Sequence, residues 1–501
     1  MAAPTRRSLL RAGGGLIAGV VSAGCIGGDT ADDGPVRTTA KRSESDESRT
    51  MTDPTATVTR SDERTTGDDR RSPSTTDGEP DTDTVDSPKR TSTVTNDESE
   101  WIPRWDMSLD EWTVLGLDAA DDRLFASLSK NNGPSAIAAI DPTEQSVLWQ
   151  TKSEGEAISG THASYQHIAR SKWGVTLSSE AVYAVAGPAE ERLWSAVHAL
   201  DRATGKRRWS LRRKRKLAVA GVTDSLVVAT GLEFFPGPNE TVLDHQTPES
   251  PLSTVVYGLA PADGTVRWTR EFDSVQDVAV NSNGVYVAVA DQLVGLGLDG
   301  ERRFSYEQGP ATRIEAAAGR IFYLTGDYSA STLYGVAPSG SVDWQHDLPV
   351  NELLLVGDRL YVGGKAVAAI EGNGTIAWRD NAYGHWLLLD PDRDTLYTRS
   401  QEQSDAVTAY GVDGEKRWTF DPPANNAWPE TATNDALIVS AITAGEGDQP
   451  FLTVYAVNSE GEPTASLGKE TVFDATSRGD TAYLADGDSA TGDSNLLALD
   501  P

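Results

Sequence analysis

The residues of this 501-residue chain that could do chemistry are few and scattered. Six histidines stand at 162, 167, 198, 245, 346 and 385, and no pair shows the i, i+4 or other spacing that sets two imidazoles on one metal ion. Asp486-Gly487-Asp488 and the run Asp390-Pro391-Asp392-Arg393-Asp394 could offer oxygen ligands to a hard cation. Neither keeps the order of an EF-hand loop or its closing glutamate, and a solvated loop accounts for both. No Gly-x-Ser-x-Gly elbow or phosphate-cradling loop stands between a strand and a helix. A single cysteine, Cys25, excludes any intramolecular disulfide. It follows the small residues Ala23 and Gly24, where a thiol can be lipidated. Asn239-Glu-Thr and Asn373-Gly-Thr are possible glycosylation sites if the chain is exported. Lys206 to Lys216 places eight basic residues in eleven positions.

That basic run is set in an acidic protein, with 75 Asp and Glu against 44 Lys and Arg and a formal net charge of -31. Generic nucleic-acid binding is disfavoured, because the summed field repels a polyanion. The run asks for an anionic neighbour: an acidic protein surface, an envelope polymer or lipid headgroups. The plainer explanation is an outer sheet strand whose charges block edge pairing. The acidic excess resembles that of proteins from salt-loving archaea, in which molar salt screens self-repulsion within a few ångströms.

Residues 1–24 read as an export signal. Arg6 and Arg7 precede a short, glycine-rich, weakly apolar stretch that ends Val21-Ser22-Ala23-Gly24-Cys25. The segment resembles a twin-arginine signal with a lipobox, departing from it at Ser22, where such boxes usually place leucine. An uncleaved anchor is the alternative, although the apolar stretch is short for a span. Residues 25–99 are rich in Ser, Thr, Asp, Glu, Arg and Pro and nearly free of aliphatics, so they cannot bury a core and are expected to form a disordered stalk.

Residues 100–501 repeat one unit, an alternating strand, a turn, a second strand ending small-aliphatic-Asp, then glycine and tryptophan. Its second half is seen in Ile137 to Trp149, Val197 to Trp209, Val256 to Trp268, Leu333 to Trp344, Val367 to Trp378 and Val407 to Trp418. Leu293 to Phe304 substitutes phenylalanine, Val454 to Ala465 loses the aromatic, and Leu496 to Pro501 stops before it. Period-two runs with Asp-Gly or Asn-Gly turns predict four-stranded sheets that must stack face to face. Trp149, Trp209, Trp268, Phe304, Trp344, Trp378 and Trp418 are expected to fill the space between neighbours rather than hold a ligand. The expected fold is therefore all-β, a β-propeller of four-stranded blades. Nine strand pairs can be counted, near 123, 181, 226, 285, 321, 360, 396, 437 and 482. Propellers usually have four to eight blades, which favours eight, with an irregular unit near 150–260 as an insertion. The segment around Trp101 to Trp105 is expected to complete the last blade.

The unit is clearest at Ala199-Leu200-Asp201 with Thr204-Gly205 and Trp209. It resembles the pyrroloquinoline-quinone-like repeat of quinoprotein dehydrogenases and of the propeller lipoprotein of outer-membrane barrel assembly. The dehydrogenase resemblance implies a quinone and calcium at the axis with an aspartate base. With only Cys25, neither the adjacent-cysteine disulfide nor the Cys-x-x-Cys-His haem segment that many such enzymes carry is possible. No catalytic residue is assigned, and enzymatic activity is left undecided, on balance absent. The expected function is a monomeric cell-surface lipoprotein, held to the membrane by lipid alone, whose non-enzymatic propeller binds protein or an anionic envelope polymer. A quinone- or metal-dependent oxidoreductase and a small-ligand or sugar sensor are the alternatives.

Overall fold

Runs that alternate in the sequence fold as strands, and the alternation decides which core each side chain enters. In Gly284–Val289, Val285, Val287 and Val289 enter one cluster while Tyr286 and Ala288 enter the next. A sheet apolar on both faces needs a neighbour on each, and a ring satisfies every sheet at once. The computed structural model describes residues 99–109, 112–130, 135–152, 175–186, 195–232, 253–307, 309, 311–317, 319–327, 330–400, 406–423, 425–444, 450–469, 471–487 and 494–501. The chain divides into two units, Met1–Leu16 with Lys89–Pro501 and Ile17–Pro88, and every described residue lies in the first.

Nine sheets form among the described residues, and they are numbered here as blades in chain order. Their first strands are Thr113–Ala120, Thr176–Leu177, Lys216–Val222, Asp277–Asn281, Ala311–Ala317, Val350–Val356, His385–Asp390, Asn425–Ala432 and Thr471–Arg478. First strands of neighbouring blades lie against one another, as Asp277–Asn281 does against Ala311–Ala317, so they line the axis. The fourth strands, including Ser146–Lys152, Arg207–Arg213, Val266–Asp273, Arg302–Glu307 and Val342–Asp347, form the rim. The blade number is thus nine, matching the strand pairs in the sequence, and the expectation of eight is corrected. Residues 176–213 and 216–273 are two complete four-stranded blades with long connections, not an inserted unit. Nine hydrophobic clusters follow, one per neighbouring pair.

The ring closes through the chain's early residues. Trp105–Ser108 pairs antiparallel with Ser494–Leu499 as the outer strand of blade 9, in the register Trp105 to Ala498. Ser99–Glu100 pairs parallel with Pro463–Lys469, adding a fifth strand to blade 8. On the axial side, the Leu117 N–H donates to the Asp474 carboxylate at 2.8 Å, joining blade 1 to blade 9.

Within blades, an aromatic on the second strand packs against the fourth-strand aromatic. Examples are Phe125 on Trp149 (6.2 Å between centroids), Tyr183 on Trp209 (5.8 Å), Phe322 on Trp344 (6.0 Å) and Tyr397 on Trp418 (5.7 Å). Tyr483 packs on Trp105 at 6.0 Å in the same way, so Trp105 is the aromatic that blade 9 lacks in its own sequence. Burial pushes the Tyr397 phenol up to about 12, and desolvation also raises Tyr183, Tyr286, Tyr361 and Tyr483. A phenol raised when folded stabilises the fold fully below its unfolded value near 10, and that contribution is lost as pH rises through the folded value. We expect these tyrosines to ionise together with alkaline unfolding between about pH 10 and 12. Absorbance at 295 nm tracked against near-ultraviolet circular dichroism checks this; their ionisation near pH 10 with the dichroism intact would contradict it.

Candidate functional site

The glycine and tryptophan of the repeat meet between blades. Six fourth-strand tryptophans lie on the positive-φ turn glycine of the next blade and donate their indole N–H to a carbonyl of that turn. The bonds are Trp149 to Arg202 (3.2 Å), Trp209 to Pro261 (2.8 Å), Trp268 to Leu298 (2.8 Å), Trp344 to Gly372 (3.1 Å), Trp378 to Val412 (2.8 Å) and Trp418 to Ser459 (3.0 Å). Phe304 lies on Gly340 without such a bond, having no N–H to give. In blade 8, whose own sequence has Ala465 at this place, Trp101 donates to Asp500 at 3.0 Å. Trp101 therefore does for blade 8 what an aromatic does elsewhere.

The repeat's Asp or Asn is turn chemistry. Asp201, Asp263, Asp299, Asn373 and Asp413 accept backbone N–H groups two or three residues ahead. The Thr204 hydroxyl lowers the Asp201 carboxyl. The sequon residue Asn373 is one of these, exposed and accepting from Thr375 at 2.9 Å. Asn239, Cys25, Arg6 and Arg7 lie outside the described residues, as do His162, His167 and His245. Of the other histidines, His198 is buried in blade 2, His346 bonds Gly374 O at 2.7 Å beside Trp344, and His385 begins the first strand of blade 7.

In the two acidic runs the described carboxylates Asp390 and Asp486 make internal pairs. Asp390 is buried, caps the Asp392 and Arg393 N–H groups, and pairs with Arg393 Nε at 2.6 Å. Asp486 pairs with Lys469 Nζ at 2.6 Å, and Asp488 lies outside the described residues.

The basic run occupies the rim strand Arg207–Arg213 of blade 2 and the turn into blade 3. Part of it is internal bracing. The arginine preceding the aromatic reaches back to its own blade's first hairpin in four blades: Arg208 to Glu180 (3.2 Å), Arg267 to Ser225 O (2.7 Å), Arg303 to Asn283 O (2.7 Å) and Arg417 to Arg393 O (2.9 Å). Arg213 lies over the Tyr257 ring at 5.6 Å, and Arg215 bonds Ser253 O at 3.1 Å and Glu271 at 3.4 Å, tying blade 2 to blade 3. Lys206, Arg207, Arg212 and Lys214 remain exposed on the rim.

At the axis, seven first strands carry a β-bulge. A bulge turns backbone and side chain out of the ladder, and carboxylates of the preceding blade accept N–H groups at or near these bulges. Asp277 accepts from Ile314 (3.1 Å), and Glu352 accepts from Trp386 (2.7 Å) and Leu387 (3.3 Å). Sequence reasoning missed these caps, because each joins residues more than thirty positions apart. Among the described residues no three His, Cys, Asp or Glu side chains converge as a metal site. The axial carboxylates Asp277, Glu352 and Asp474 each accept a backbone N–H from the following blade.

Docked tryptophans, bulged axial strands and a rim strand borrowed from the early chain define a nine-bladed β-propeller. Residues 101–282 and 252–385 match the PQQ_2 family, described as "Outer membrane protein assembly factor BamB". The match spans more than half of the chain, which belongs to that family. No curated protein matches. Among solved structures it is similar to BamB from Moraxella catarrhalis, at 15% identity and TM-score 0.42, covering 64% of this chain and 92% of that one. It is also similar to quinohemoprotein alcohol dehydrogenase from Comamonas testosteroni, at 14% and 0.42 with 80% and 76% covered. A third is Saccharomyces cerevisiae Sqt1, at 11% and 0.44 with 80% and 100% covered. The family assignment rests on the family match and the strand arrangement, not on these scores.

Proposed function

We propose that this chain is an exported lipoprotein whose propeller is a non-enzymatic scaffold for an acidic protein segment or anionic envelope polymer. The observation that carries the reading is the rim of blade 2. Beside the bracing Arg208, Arg213 and Arg215, the side chains of Lys206, Arg207, Arg212 and Lys214 are exposed on and around Arg207–Arg213, whose outer edge pairs with no strand among the described residues. An open edge offers backbone pairing to an extended segment, and the four cations select an acidic one. The description of the family as an assembly factor agrees with a protein partner. Cys25 as lipid site and Arg6 with Arg7 as export signal would place the propeller outside the cell membrane.

Affinity capture of the tagged full chain from its native membranes tests this, against a variant with Lys206, Arg207, Arg212 and Lys214 all changed to Glu. The partner set is expected to fall several-fold in the variant, with the unfolding midpoint nearly unchanged because exposed rim positions contribute little to stability. An undiminished set would remove the rim from the reading. In the same preparation Cys25→Ser is expected to move the protein to the soluble fraction; its retention in the membrane would mean an uncleaved anchor.

A further inference from the structure

Trp386 is the one exposed tryptophan among the described residues, at 39% of its surface, and it stands on an axial strand. Its backbone is left-handed, with φ 56°. A bulky residue there costs on the order of 1–3 kcal/mol. The conformation is imposed from next door: the Trp386 and Leu387 N–H groups, turned out by the bulge opposite Thr398, are both held by the Glu352 carboxylate. The Arg399 guanidinium lies over the indole at 5.6 Å and donates to Asn426 Oδ1 at 2.8 Å. Asn426 sits on the next blade's bulge, also left-handed at φ 60°.

Adjacent blades thus bring to one end of the axis an indole platform, a guanidinium and an amide. We propose that this mouth is a saccharide-binding subsite, with Trp386 taking the apolar face of a pyranose ring while Arg399 and Asn426 address its hydroxyls. A flat heteroaromatic ligand is served by stacking on two faces, but here Arg399 already covers the indole. A pyranose needs one platform with polar groups beside it, which the Arg399 guanidinium and the Asn426 amide supply. Glu352 is a positioning residue, acting through the Trp386 and Leu387 backbone. The inference does not depend on the rim of blade 2.

Saturation-transfer NMR and calorimetry on the full chain in molar potassium chloride test it, with maltohexaose and hexagalacturonate as probes. Saturation is expected on the pyranose ring protons of at least one probe. Trp386→Ala should weaken that binding at least tenfold while the fold is retained, since the indole belongs to none of the nine core clusters. Trp386→Phe should keep most of it. Glu352→Gln, which removes the charge but not the shape of the clamp, should weaken it several-fold. No signal from either probe, or equal affinity in Trp386→Ala, would overturn the assignment, and neither result would touch partner capture through blade 2.

Discussion

A chain beginning at Leu109 is expected to lose its folded ring, whereas one beginning at Asp97 should unfold like the intact protein. The first truncation removes Trp101, Trp105 and both early strands. Deleting a buried tryptophan costs about 3–5 kcal/mol, and both are nearly buried. Together they approach the 5–15 kcal/mol that holds a typical protein folded. The loss also bares the edge of Ser494–Leu499, which then invites aggregation. Trp101→Ala alone should cost about 3–5 kcal/mol, because the indole both fills the core between blades 8 and 9 and bonds Asp500. Trp101→Phe should cost distinctly less, keeping the ring and giving up the N–H bond. Thermal unfolding in molar salt reads all four. Equal midpoints for the two truncations would show that the ring closes without residues 97–108.

The second large effect is expected at a turn glycine of blade 3 that lies against the preceding blade's tryptophan. Gly264 has φ 72°, and a Cβ there would lie 2.6 Å from the Trp209 ring of the preceding blade. Gly264→Ala therefore meets two penalties, about 1 kcal/mol for the left-handed backbone and about 1–3 kcal/mol for overpacking. Gly357 separates them, since its φ of 60° is similar but nothing lies within 4 Å of a Cβ. Gly357→Ala should cost only the backbone part. If the two substitutions lower stability equally in denaturant titrations, the tryptophan does not dock on the turn as described.

The repeat was legible because its physics is local. Alternation over five to eight residues sets two buried faces, and Asp-Gly turns set the hairpins; the position of each fourth-strand tryptophan follows by counting. The functional weight of the basic run was only half legible. Its charge is plain in the sequence, but that Arg208 braces a hairpin and Arg215 reaches Glu271 depends on which strands are neighbours.

What the chain's own order determined is the blade: its four strands, its aromatic pair and its turn. What tertiary structure alone decided is where repeats are mended and where side chains from different blades meet. Blade 8 carries Ala465 where others have an aromatic, and nothing local reveals that Trp101 replaces it, because Ser99 finds Ala465 across the full length of the ring. The axial mouth is hidden for the same reason. Trp386 lies outside the repeated tryptophan positions, and its exposed placement goes with the bulge in its strand and the Glu352 clamp from the neighbouring blade. Period-two patterning assigns a residue to a face of its own sheet; a bulge breaks that period, and the carboxylate that stabilises the break is brought to it by closure of the ring.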